Sequence, residues 1–493
     1  MELSIPFILF LFSALALFSV LLSKVAERFS IPILLLFLAL GMLAGSEGIG
    51  GIYFDDAVTT QWISTIALAV ILFAGGLDTN WDQTRPILKE GLTLGTLGVL
   101  LTAGLVGFFV HFILKLPFLD SFLIGAIISS TDAPAVFSVL RTSGIGLKGQ
   151  LKPLLEFEAG SNDPMAIFLT IGAIQLLTNP SSTPLDLLLL FVLQMGVGAG
   201  AGWLLSKFAL YLVNRLKLGY EGLYPVLMLA LVFLTFGLTA LLQGSGYLAV
   251  YILGLILGKN DFLHKRSLTR FFDGTAWLMQ IGLFITLGLL VFPSRIPQVI
   301  VPGLLVAAIL ILIARPVSVF LCLIPFRFSF REKVFLSWVG LKGAVPIVLA
   351  TFPLIAGFDQ SDTVFNLVFF VVIASVLFQG TLITPIARWL HVDTPLAAKP
   401  DFPLEVIAGH KINGKFTEIL IPENSAVIGK SIYQLKLPQN YLVILIQREG
   451  EYIQPNGATE IHAGDKLFSL SDADTLKEAG SILTNPVDQS KDD

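Results

Sequence analysis

From Ile5 to Arg388 the chain is a succession of apolar stretches, each near the length that carries a helix across a bilayer, parted by short polar loops. In hydrocarbon every backbone N–H and C=O must be satisfied within the chain, so these stretches are expected to be helices. Their bounds read as 5–23, 31–46, 61–77, 90–114, 118–140, 151–178, 185–211, 222–242, 245–259, 270–293, 299–325, 331–356 and 362–388, about thirteen spans. Only 13% of the residues are charged, against about 25% in soluble domains, and 55% are hydrophobic, which excludes a soluble enzyme. The first stretch has no Lys or Arg ahead of it and no clear small-residue cleavage site, so it reads as a retained span. The single cysteine, Cys322, excludes an internal disulfide framework and reads as a packing residue.

Lys and Arg orient the spans. Loops after odd-numbered spans, with the start of the tail, hold 18 of them, whereas the opposite loops hold Lys115 and Arg295. Positive charge stays on the cytoplasmic side. The N-terminus is therefore expected outside and the tail in the cytoplasm.

The composition changes near Ala397–Pro403. Residues 1–395 read as a transmembrane domain and 402–485 as a small cytosolic α/β domain. "LEVIA" (404–408), "FTEILI" (416–421), "YLVILIQ" (441–447) and "HAGDKLFSL" (462–470) read as strands, and "SDADTLKEAGSIL" as a helix capped by Ser471 or Asp472. No glycine-rich phosphate loop is present, so the domain reads as regulatory or dimerising. Residues 486–493 read as a disordered tail.

Two spans are interrupted. The fifth contains "SSTDAPAVF" with Thr131, Asp132 and Pro134, and the twelfth "GLKGAVPIV" with Lys342, Gly343 and Pro346. Proline removes a backbone donor and breaks a helix, and broken backbone is tolerated at depth only where protein or water satisfies it. The breaks lie seven spans apart, so spans 1–6 and 8–13 read as two repeats of opposite direction. Such inverted repeats place a transport site at the midplane between discontinuous helices.

The sixth span carries "EFEAGSNDPMAIF". Asp163 lies about 18 Å along it, near the bilayer centre. Pro164 follows and is expected to open the backbone beside the acid. Glu158 and Asn162 share a helix face, and Asp163 is turned about 140° from Glu158. A buried carboxylate must be paired or neutralised. Arg315 in "LIARPVSVF" keeps its charge and suits a permanent bidentate pair, here with Glu158. Asp132 and Lys342 sit where the partial charges of half-helix ends converge and would offset them. Asp163 is left without a fixed cation, so it must hold either a proton or a mobile cation. A monovalent cation would find oxygens at Asp163, Asn162, Thr131 and the unwound carbonyls. One acid trading one proton for one cation implies electroneutral 1:1 exchange.

"SSTDAPAV", "EFEAGSNDP", "ARP" and "GLKGAVP" together resemble the bacterial NhaP-type and eukaryotic sodium/proton exchangers, over about residues 5–390. The resemblance implies an all-α, thirteen-helix homodimer in which a core domain moves as an elevator against a dimerisation domain. It implies that Asp163 carries ion and proton, that Asn162 marks an electroneutral branch, that Thr131 and Asp132 belong to an unwound crossing helix, and that Glu158 and Arg315 form a structural pair. Lys342 departs from the Arg of the usual "GLRGA" motif. "AVIGKSIYQLKLP" and "EIHAGDKLFSLSDADTLKEAG" resemble the ligand-binding half of potassium-conductance regulator modules (RCK/TrkA-C-like), over residues 402–485. An antiporter core with this module resembles the potassium/proton antiporters of the cell-volume-regulation type. It implies a small regulatory ligand, with a cyclic dinucleotide as one possibility. No cofactor and no nucleic-acid partner are expected. A sodium/proton exchanger with the same site is the alternative. A regulator-gated potassium channel would need a "TVGYG"-like filter, which the nearest string, "GSGYL" (244–248), is not.

Overall fold

A computed structural model describes residues 5–29, 32–179, 181–357, 360–396, 415–422, 424–448 and 451–485. The chain separates into two compact units, Met1–Leu396 and Ala397–Asp493. The strand expected at 404–408 and the tail at 486–493 lie outside the described residues.

The first unit is helical. Among the described residues seven helices are long and apolar enough to cross a membrane: Ala57–Asp78, Trp81–Leu114, Leu185–Arg215, Leu223–Leu241, Lys265–Leu289, Pro293–Cys322 and Ser361–Trp389. Shorter apolar helices run over Phe10–Lys24, Ile33–Ala44, Phe118–Ile127, Gly246–Lys259 and Ala344–Ala356. Asp56 caps the helix Ala57–Asp78 by accepting from the N–H groups of Val58 and Thr59, each at 3.0 Å.

Both expected breaks are present. The fifth span divides into Phe118–Ile127 and Ala133–Thr142, and the twelfth into Phe330–Trp338, Ala344–Leu349 and Thr351–Ala356. The unwound residues between satisfy one another: the Asp132 N–H donates to the Leu341 carbonyl at 2.8 Å. Gln379 supports the second break by donating from Nε2 to the Trp338 carbonyl at 2.6 Å. Free backbone at depth is thus paired inside the protein.

The repeat goes further than hydropathy alone reveals. The fourth and eleventh spans each contain one five-residue π-helical turn, Leu94–Gly98 and Leu310–Ala314. Pro316 supplies a cause for the second, because it cannot donate to the carbonyl of Leu312. Four residues past each turn stands a buried hydroxyl, and the two meet. Thr102 Oγ1 is 2.7 Å from the Gly98 carbonyl and 3.0 Å from Ser318 Oγ, which donates to the Ala314 carbonyl at 2.7 Å.

The sixth span differs from expectation. Leu151–Thr178 is one uninterrupted helix with Pro164 inside it. Proline removes the N–H that would reach the Gly160 carbonyl, but its neighbours hold the helix together. The Ser161 hydroxyl lies 2.8 Å from the Phe157 carbonyl and 3.0 Å from that of Glu158, covering the turn ahead of the missing bond. Beside this central helix, Ala57–Asp78 and Gly246–Lys259 cross closely, since a Cβ at Gly76 would strike the Tyr251 carbonyl. A short antiparallel pair, Ile145–Leu147 with Asp393–Pro395, ties the loop after the fifth span to the end of the last.

The second unit is a four-stranded antiparallel sheet in the order Lys415–Leu420, Lys466–Ser471, Leu442–Arg448, Glu451–Ile453. Three of these strands fall where alternation places them; Glu451–Ile453 is too short to register as a pattern. The helix Ala473–Thr484 is capped by Asp472, whose carboxylate accepts from the Thr475 N–H at 2.8 Å. Ile421, Ile446, Leu467 and Leu483 are among the residues of its core.

Candidate ion-binding site

The two breaks meet beside the middle of the central helix, and of the seven residues singled out by sequence six are buried in this region of the first unit while Asp132 is half-buried. Asp132 stands at the start of Ala133–Thr142, where its Oδ1 accepts from the Ala135 N–H at 3.1 Å. It also lies against Gly343, which precedes Ala344–Leu349. A Cβ at Gly343 would fall on the Asp132 carboxylate. One acid therefore serves two half-helix N-termini, where negative charge is stabilised. Lys342 does the reverse. Its Nζ donates to the carbonyls of Ser130 at 2.9 Å and Ser129 at 3.4 Å, just past the end of Phe118–Ile127.

Glu158 and Arg315 pair as expected, with side chains 1% and 4% exposed. The pair is not bidentate. Arg315 Nη2 donates to Glu158 Oε1 at 2.5 Å, while Glu158 Oε2 and Arg315 Nε have no hydrogen-bond partner among the described residues. Arg315 Nε faces Gly340 in the second break.

Asn162 is fully buried and donates from Nδ2 to Thr131 Oγ1 at 2.6 Å. That bond leaves Asn162 Oδ1 buried with no partner among the described residues, and Oδ1 of the next residue, Asp163, is in the same condition. The charged groups acting on Asp163 are Asp132 and Lys342, and Ser130 faces it from the first break. Among the described residues no ion pair involves Asp163. Two buried oxygens on consecutive residues, both without donors, are what an oxygen-seeking cation or a proton would complete.

Sequence reasoning missed Ser130, Gly160, Tyr251 and Gln379. Ser130 and Gly160 lie inside motifs already singled out, and the other two are lone polar residues in apolar runs. Asp362 is 3.4 Å from Arg295. Cys322 is buried and free.

Antiparallel broken helices crossing at a buried acid, within a multi-pass helical unit, define a membrane transporter. Residues 13–389 match the family described as sodium/hydrogen exchanger, transmembrane, and residues 416–484 match the TrkA-C domain. The chain is 41% identical over 477 residues to the K(+)/H(+) antiporter NhaP2 of Shewanella sp. (strain ANA-3), covering 95% of this chain and 82% of that one. It is 38% identical over 473 residues to the K(+)/H(+) antiporter NhaP of Alkalimonas amylolytica, covering 96% and 82%. A solved structure of the sodium proton antiporter MjNhaP1 from Methanocaldococcus jannaschii superposes with a TM-score of 0.68 at 26% identity, over 78% of this chain and 98% of that one. The chain belongs to the sodium/hydrogen exchanger family and carries a C-terminal TrkA-C domain.

Proposed function

We propose that this chain is an electroneutral K+/H+ antiporter in which Asp163 exchanges one proton for one potassium ion. The observation that carries this reading is the pair of unsatisfied buried oxygens, Asn162 Oδ1 and Asp163 Oδ1, among cations already engaged elsewhere. Arg315 is held by Glu158, and Lys342 by the Ser129 and Ser130 carbonyls. Potassium as the cargo is supported by the names of the relatives that match nearly the whole chain. Thr131 completes the oxygen set. Asp132 and Lys342 balance the half-helix dipoles, and Glu158 with Arg315 braces the crossing. The reading extends to a homodimer in the bacterial inner membrane, working as an elevator with its N-terminus outside. The C-terminal domain lies in the cytoplasm and answers a small ligand, a cyclic dinucleotide being one candidate.

The test is proton flux in liposomes holding wild type or Asp163→Asn, driven by K+ or Na+, with and without an imposed voltage. K+-driven flux insensitive to voltage and lost in the variant is expected. Undiminished flux in Asp163→Asn refutes the site, faster flux with Na+ refutes the cargo, and voltage-dependent turnover refutes the stoichiometry. Removing residues 400–493 is expected to change regulation and leave transport; complete loss in a folded truncation would refute a separable regulator.

A further inference from the structure

At about 100° per residue, Glu156, Gly160 and Asp163 fall on one side of the central helix, away from Glu158 and Asn162, which turn to Arg315 and Thr131. Opposite that side stands Tyr251 of the helix Gly246–Lys259. Its ring tip rests on Gly160: a Cβ there would land among ring Cε2, Cζ and the hydroxyl oxygen. Phe157 flanks it, with ring centroids 6.4 Å apart. Tyr251 is only 3% exposed, and its hydroxyl has no hydrogen-bond partner among the described residues. Leaving a hydroxyl buried and unpaired is costly unless something visits it. Its polar surroundings are Thr79, Glu156 and Asp163. The Thr79 hydroxyl spends its proton on the Gly75 carbonyl at 2.7 Å and can meet the phenol only as an acceptor. Glu156 has a side chain 29% exposed, 3.7 Å from Lys152. The phenol thus stands between a half-open acid and the buried one.

We propose that Tyr251 is the gate on the Glu156 side of the transport site. Its ring, seated on Gly160, shuts Asp163 off from the half-exposed acid. Its free hydroxyl is the hydrogen-bonding station met by a hydrated monovalent cation, or a proton-bearing water, passing between the two. The inference rests on the reading of Asp163 as carrier and adds a gating residue to it. Glycine at 160 is what lets a ring so large close directly over the helix backbone.

The test uses full-length wild type, Asp163→Asn, Tyr251→Phe and Tyr251→Ala in liposomes, with size-exclusion profiles to establish folding. Tyr251→Phe keeps the plug and loses the station. It is expected to slow saturating K+-driven proton flux at least about tenfold, as loss of a hydrogen bond to a charged species would, and to displace the pH profile. Tyr251→Ala removes the plug and is expected to show proton leak without a K+ gradient, which Tyr251→Phe does not. Tyr251→Phe matching wild type in rate and pH profile overturns the gate, as does a folded Tyr251→Ala that stays coupled and leak-free. If the alanine variant does not fold, the phenylalanine variant decides. A wild type without K+- or Na+-driven flux, or Asp163→Asn with full flux, instead removes the carrier reading and the gate with it.

Discussion

Cutting the Glu158–Arg315 pair from one side, then from both, separates bracing from transport. The side chains are 1% and 4% exposed and are joined by one bond. Replacing either alone, Glu158→Leu or Arg315→Met, leaves an uncompensated charge in low dielectric, at a cost of about 3–5 kcal/mol. The pair itself is only partly satisfied, since Glu158 Oε2 and Arg315 Nε have no partner among the described residues. Desolvation is therefore incompletely offset, and replacing both by apolar side chains is expected to be neutral or to stabilise by about 1–4 kcal/mol. The thermal midpoint in detergent should fall in each single variant and recover in the double. Flux should recover with it, because the cation and proton are carried by Asp163. A double variant as unstable as the two singles summed would mean that the residues do not act as a pair. A stable double variant without transport would mean that one of them takes part in the exchange.

Two further outcomes follow from close contacts. Gly343→Ala would drive a methyl onto the Asp132 carboxylate and displace the acid from both half-helix N-termini; a loss of exchange of about 10²-fold is expected, and flux equal to wild type would refute the shared cap. In the second unit, burial works to raise the Asp465 carboxyl, but hydrogen bonds from Arg448 and from the His462 N–H outweigh it and leave it below its ordinary 3.8. A depressed acid stabilises the fold above the unfolded value, so that stability is retained above pH 3.8 and lost as pH falls below it. Asp465→Asn should lower the unfolding midpoint of the second unit at neutral pH and abolish this acid step; parallel wild-type and variant curves across the range would refute the assignment.

Most of the site was legible because charge in hydrocarbon is rare and therefore informative. Glu158, Asp163, Arg315 and Lys342 announce themselves in apolar runs, and Pro134 and Pro346 beside charges mark the breaks. What escaped depended on local satisfaction. Pro164 carries the same sequence signal as the other two prolines, yet the Ser161 hydroxyl covers the turn before it and the helix continues. The π turns also escaped, because one extra residue in a turn does not disturb a hydropathy pattern long enough to span a bilayer. Their matching places in the fourth and eleventh spans strengthen the repeat from an independent direction. Tyr251 was hidden for another reason: an aromatic ring in an apolar helix looks like packing until its hydroxyl is found without a partner.

The division of labour inside one helix follows from the angle between its faces. Glu158 turns toward Arg315 on the eleventh span, and Asn162 toward Thr131 in the first break. Asp163, one residue beyond Asn162, is turned about 100° from it and faces Asp132 and Lys342 without an ion pair among the described residues. Asn162 links the two faces. Its amide nitrogen is spent on Thr131, so the oxygen beside Asp163 has to look for a ligand elsewhere. An aspartate at 162 would forfeit that donor and place a second negative charge next to the first, which burial opposes unless another cation or proton enters with it. A neutral side chain that anchors the unwound segment through one atom and offers the other keeps the site to a single titrating charge.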